Sequence, residues 1–112
     1  MTPFLDAKEL QPGNFTSMVD LARSWIPSSL SKFTRIVIDD REQEETIAYP
    51  MVDLEWTSGD LQDLVTRRIL GRVDETECTA FVFRGMPIGD LALASLAFEK
   101  AYTAGLGKEL QR

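Results

Sequence analysis

The chain has 112 residues, 44% of them apolar, and its 12 basic and 18 acidic side chains give a formal charge of −6. That length suits one domain that buries about two-thirds of its unfolded surface around a single core. With no histidine and one cysteine, a Ser-His-Asp triad, a Cys-His pair and a histidine-built zinc site are all excluded within the chain.

The lone Cys78 has no partner for an intramolecular disulfide, which makes a reducing compartment, the cytoplasm, the expected location. The first residues, Met-Thr-Pro-Phe-Leu-Asp-Ala-Lys, lack the apolar run of a signal peptide. The longest apolar stretch, residues 91–98, falls well short of the ~20 residues that a membrane-spanning helix needs. Net negative charge opposes binding to phosphate backbones and anionic lipid, so neither a nucleic-acid nor a membrane partner is expected. Arg67, Arg68 and Arg72 form the one local basic group.

Residues 1–13 read as an irregular segment closed by Gln11-Pro12-Gly13. Asn14 then reads as the cap of a first helix, because Phe15, Met18, Val19, Ala22 and Ile26 fall on one face of a 3.6-residue repeat before Pro27. Residues 33–39 are rich in β-branched side chains and predict a strand. A hairpin about Glu42 and Gln43 would bring Ile36 and Ile38 onto the face of Ile47, Tyr49 and Met51. Past Pro50 the alternation slips and predicts a bend. Thr57-Ser-Gly-Asp60 resembles a helix start, with Leu61, Leu64, Val65 and Ile69 as the buried stripe and Gly71 as the stop. Residues 77–84 are apolar on both faces and predict a central strand. Residues 90–104 predict a third helix, apolar around nearly its whole circumference, and 105–112 read as a polar tail.

These elements predict a single α+β domain over residues 1–112, with three helices packed on a small, largely antiparallel sheet of three to four strands in a two-layer sandwich.

Candidate chemistry is sparse. Asp39, Asp40, Glu42, Glu44 and Glu45 put five carboxylates into seven residues, but without the glycine or spacing of a calcium loop they read as a solvated turn. Asp53 and Glu55 share one side of an extended segment at ~6 to 7 Å, a spacing open to paired acid/base work. Arg68 and Arg72 lie beside or within the second helix's stripe, where a guanidinium fork could hold an anionic ligand. The turn 84–90 has glycines but no phosphate-loop pattern, and Asp90 already occupies the helix start. No cofactor or metal is expected.

The third helix makes the largest demand, because covering one side with the sheet would leave Leu93, Leu96, Ala97, Lys100 and Ala104 on an open strip, to be covered either by the first two helices of the same chain or by a second copy. The leading expectation is therefore a non-enzymatic acidic binding or adaptor domain, homodimeric through that helix, engaging a basic protein or a small ligand. The alternative is a small enzyme or sensor that holds an anionic or polar small molecule, with Arg68 or Arg72 as anchor and Asp53 or Glu55 as acid/base. An acidic inhibitor that mimics nucleic acid is the third reading.

Overall fold

The computed structural model describes residues 2–108 and residue 110. Residue 1 of the expected irregular segment, and residues 109, 111 and 112 of the expected polar tail, lie outside the described residues.

Among the described residues four short strands form one sheet, and every pairing in it is parallel. They are β1 (Phe15–Met18), β2 (Arg35–Ile38), β3 (Thr57–Asp60) and β4 (Thr79–Val82), ordered β1-β4-β2-β3 across the sheet. Two short helices, α1 (Arg41–Glu45) and α2 (Leu61–Val65), come after β2 and β3, and a long one, α3 (Pro87–Thr103), comes after β4. Strand followed by helix is the grammar of an α/β domain, because parallel strands need a crossover to return to the same end of the sheet. The expected antiparallel sandwich of three helices is thereby corrected.

Each local departure has a physical cause. The segment predicted as a first helix is β1 followed by turns, since Phe15 to Met18 pair in register with Thr79 to Val82. The Thr79 amide donates to Asn14 O at 2.9 Å and the Phe83 amide to Met18 O at 2.9 Å, so the ladder extends beyond the strand at both ends. The predicted hairpin is absent. Asp40 instead accepts the Gln43 amide at 2.9 Å and starts α1, so the acidic run turns into a helix and not back along β2. Thr57 to Asp60 is not a helix start but a strand, β3, whose last residue caps α2 through a reciprocal box with Asp63. β4 lies between β1 and β2, the place that its two apolar faces require.

Right-handed crossovers decide which face is covered. The chain moves outward from β1 to β2 to β3, which puts residues 19–34 and 39–56 on one face, and returns to β4 with 61–78 on the other. The first face is the core: Met18, Ile36, Ile38, Ala80 and Val82 pack against Ala22, Trp25, Leu30, Phe33, Met51 and Val52. Ile36, Ile38 and Val82 are completely buried, each worth ~1.5 to 3 kcal/mol of transfer free energy. The second face carries Phe15, Val37 and Phe81, with Leu61 and Leu64 beside them, around an apolar hollow of about 420 Å³.

α3 stands apart. None of its residues is buried, and Leu93 and Leu96 are 69% and 48% exposed. Its projection raises the radius of gyration to 17.7 Å, against ~13 Å for a compact chain of this length.

Candidate crevice at the carboxyl ends of the strands

All four strands point the same way, so their carboxyl ends gather the turns that begin at Val19, Asp39, Leu61 and Phe83 at one edge of the sheet. In open parallel sheets this is the edge where ligands bind. Here it holds a cleft of about 550 Å³, lined by Asp39, Asp40, Arg41, Glu42, Glu45, Asp60, Leu61, Gln62, Asp63, Val65, Arg68 and Met86.

Most of its charged groups are already engaged with the protein. Asp60 accepts the Asp63 amide at 2.8 Å and the Arg41 amide at 3.4 Å, tying α1 to α2 across the cleft floor. Arg41 bridges Glu45 Oε1 and Thr57 Oγ1, both at 3.1 Å. Arg68 meets Asp63 Oδ1 at 3.1 Å on the exposed rim. The cleft thus presents carboxylates whose free lone pairs suit hydroxyl or amide donors, and it offers few free cations.

The turn after β4 is the most constrained part of this edge. Asp39, buried at the end of β2, accepts the amides of both Arg84 and Gly85 at 2.9 Å. Glu44, buried in α1, accepts Arg84 Nε and Nη2 on its two oxygens, and the Met51 amide donates to it at 2.8 Å. Burial by itself would raise the Glu44 pKa. The hydrogen bonds from Arg84 and Met51, with the guanidinium's charge, more than offset that and hold the carboxyl below its ordinary value. The same bond, donated by Arg84 to Glu44, raises the Arg84 pKa against the opposing effect of burial. Gly85 sits at φ +126° with open space around its α-carbon, so glycine is needed there for conformation.

The turn after β1 also carries strain: Leu21 and Ala22 are both left-handed, at φ 63° and 58°, a conformation unfavourable for residues with a Cβ. Asp20 braces it, accepting the Ser24 amide at 3.0 Å and the Ser24 hydroxyl, and these bonds lower its pKa against burial.

The four ligand-binding candidates read from the sequence are dispersed. Arg68 lines the cleft. Arg72 lines the apolar hollow on the second sheet face, donating to Asn14 O at 3.0 Å and Thr79 Oγ1 at 3.2 Å. Asp53 accepts the Glu55 amide at 3.0 Å and caps the turn Leu54–Trp56, while Glu55 is exposed; neither lines these two hollows. The run 39–45 is only partly a solvated turn, because Asp39 and Glu44 are buried. Among the described residues no three His, Cys, Asp or Glu side chains are grouped to hold a metal ion, and no helix is long and apolar enough to cross a membrane.

Sequence reading missed Asp39, Glu44 and Arg84 as a constellation. The available signal was an acid directly after one apolar strand and a base two residues after another, which parallel pairing brings to the same edge.

No family model and no curated protein matches the chain. Solved structures do. Δ1-pyrroline-2-carboxylate reductase of Thermococcus litoralis, in complex with NADH and L-proline, superposes with a TM-score of 0.75 over 96% of this chain and 37% of its own, at 24% identity. A probable ornithine cyclodeaminase of Bordetella pertussis gives 0.68 over 96% and 38%, at 20% identity. An archaeal alanine dehydrogenase dimer with bound NAD gives 0.73 over 97% and 37%, at 20% identity. This likeness corrects the expectation of a non-enzymatic adaptor, because the fold is one that a reductase, a cyclodeaminase and a dehydrogenase share. The chain spans little more than a third of the length of each of them, and within that span it has their α/β fold.

Proposed function

We propose that the chain supplies part of a dinucleotide-binding domain in an enzyme that acts on a small amino or imino acid, and that its cleft takes the nicotinamide end of the dinucleotide. The observation that carries this reading is the cleft's position outside the carboxyl ends of parallel strands, in a fold shared with structures that hold NADH or NAD. It brings forward the alternative of an enzyme or sensor with a polar small-molecule ligand.

The residues fit one end of the dinucleotide better than the other. No Gly-x-Gly-x-x-Gly turn occurs in the sequence, and six carboxylates against two guanidiniums line the cleft, which disfavours a pyrophosphate. Carboxylates do accept ribose hydroxyls and a carboxamide. The phosphate-binding turn would then come from polypeptide outside these 112 residues. When bound, the dinucleotide would supply hydride-transfer chemistry. The residues of this chain would orient it: Asp40 and Asp60 as acceptors, the turn 84–86 as a wall, and Arg68 as the anchor for an anionic group at the rim.

Titration with nicotinamide mononucleotide, followed by amide chemical shifts, tests this. Shifts at residues 39–41, 60–63 and 84–86 are expected, saturating in the ~1 mM range of a partial site, and ADP should leave them unmoved. Equal shifts with ADP, or none with either probe, would overturn the reading.

The homodimer belongs to the same proposal, with Leu93, Leu96, Ala97, Lys100 and Ala104 of α3 at the contact. Sedimentation should show a dimer that Leu96→Glu dissociates; a wild-type monomer at concentrations on the order of 100 μM would remove it. A reducing cytoplasm, where Cys78 remains a thiol, completes the reading.

A further inference from the structure

We propose that Glu44 is a positioning residue for the ligand of the crevice, holding the turn 84–86 through Arg84 so that Met86 stays in the cleft wall. This inference rests on the reading of the cleft as a nicotinamide site.

The turn is held in two independent ways. Asp39 takes its backbone, accepting the amides of Arg84 and Gly85 at 2.9 Å. Glu44 takes its side chain, with both carboxylate oxygens on the Arg84 guanidinium. Glu44 is itself fixed, being 1% exposed and bonded to the Met51 amide at 2.8 Å. Arg84 has one further acceptor, Tyr49 O at 3.4 Å, and that contact is too long to replace a paired, charged fork.

The second hold matters because the residue after Arg84 is a glycine. Gly85 has no side chain and lies at φ +126°, and the space that a Cβ would occupy is open, so its amide bond to Asp39 is the contact that holds it. A turn held only at its backbone amides is free to tilt at Arg84 and swing Gly85 and Met86 away from the cleft. Fixing the Arg84 side chain from α1 removes part of that freedom before a ligand arrives. Less ordering then remains to be done on binding. Glu44 need not touch the ligand, since its effect passes through Arg84.

The test compares variants of the full chain by nicotinamide mononucleotide titration. Glu44→Gln keeps the shape and an acceptor for Met51 but loses the charged fork, and it should raise Kd at least fivefold, on the order expected for loss of a preorganising contact. Arg84→Lys, which keeps the charge without the fork, should weaken binding likewise. Leu30→Ala trims a core side chain in the turn Pro27–Lys32 that precedes β2 in the chain. Its Kd, corrected for the folded fraction, should match wild type. Wild type that does not bind overturns the nicotinamide reading and this inference together. Wild type that binds, with Glu44→Gln and Arg84→Lys binding as tightly, overturns this inference alone. So does equal weakening in Leu30→Ala, which would make the role of Glu44 merely structural.

Discussion

Glu44→Ala is expected to lower stability by about 3 kcal/mol, the low end for breaking a buried ion pair by removing one partner. The Arg84 side chain keeps 22% of its exposure, so water recovers part of its solvation, which is why the low end applies. Met51 loses an acceptor at a buried position as well. For a chain of this length the thermal midpoint should fall by roughly 12 °C, read by circular dichroism. A drop under about 3 °C would mean that the pair contributes little.

The same carboxylate makes stability pH-dependent. Its folded pKa lies below the ordinary value of 4.5, so the unfolded chain binds the proton more readily than the folded one. The contribution is complete above about 4.5 and is lost as the pH falls through the lower folded value. Asp20, Asp74 and Glu77 are lowered too, by bonds from Ser24, Thr76 and Arg35 respectively, and they add in the same direction. Acid melts of wild type should therefore fall more steeply below pH 4.5 than those of Glu44→Ala. Parallel curves would sink the assignment.

Gly13→Ala is the second large effect. Gly13 lies at φ +82°, and a Cβ there would stand 2.5 Å from the backbone oxygen of Glu75. Backbone on both sides cannot step aside as a flexible side chain could. The Gly13 amide also donates to Thr76 O at 3.0 Å, next to the contact between the Thr79 amide and Asn14 O that begins the β1 to β4 ladder. Strain in φ costs ~1 kcal/mol, and relieving the overlap by parting the two segments adds the loss of at least one backbone hydrogen bond, so a total of about 2 kcal/mol is expected. Urea unfolding checks it. Amide exchange should be fastest in residues 13–18 and 76–82, the two segments that Gly13 holds in register.

Several elements were legible in the sequence because their causes are local. The β-branched run at 35–38, the two-faced apolar run at 79–82 and the helix at 87–103 arise from side chains interacting with their own neighbours in the chain. Asp60 was read as part of a helix start and does cap α2, although the three residues before it are strand. Phe15 to Met18 misled for the opposite reason. Their spacing satisfies a helical face, but the pairing that decides their conformation is with Thr79 to Val82, far along the chain.

The candidate site shows the same division. Composition excluded histidine and disulfide chemistry within the chain and residue order placed acids after β2, but neither could show that Asp39 and Glu44 turn inward. Their burial depends on Arg84 and the amides at 84 and 85 arriving from β4, and without those donors the same carboxylates would stay in water. Local residue type thus set several of the elements and the available chemistry. Parallel strand order, and with it the crevice and the buried pair, was decided only when distant segments supplied each other's hydrogen-bonding partners.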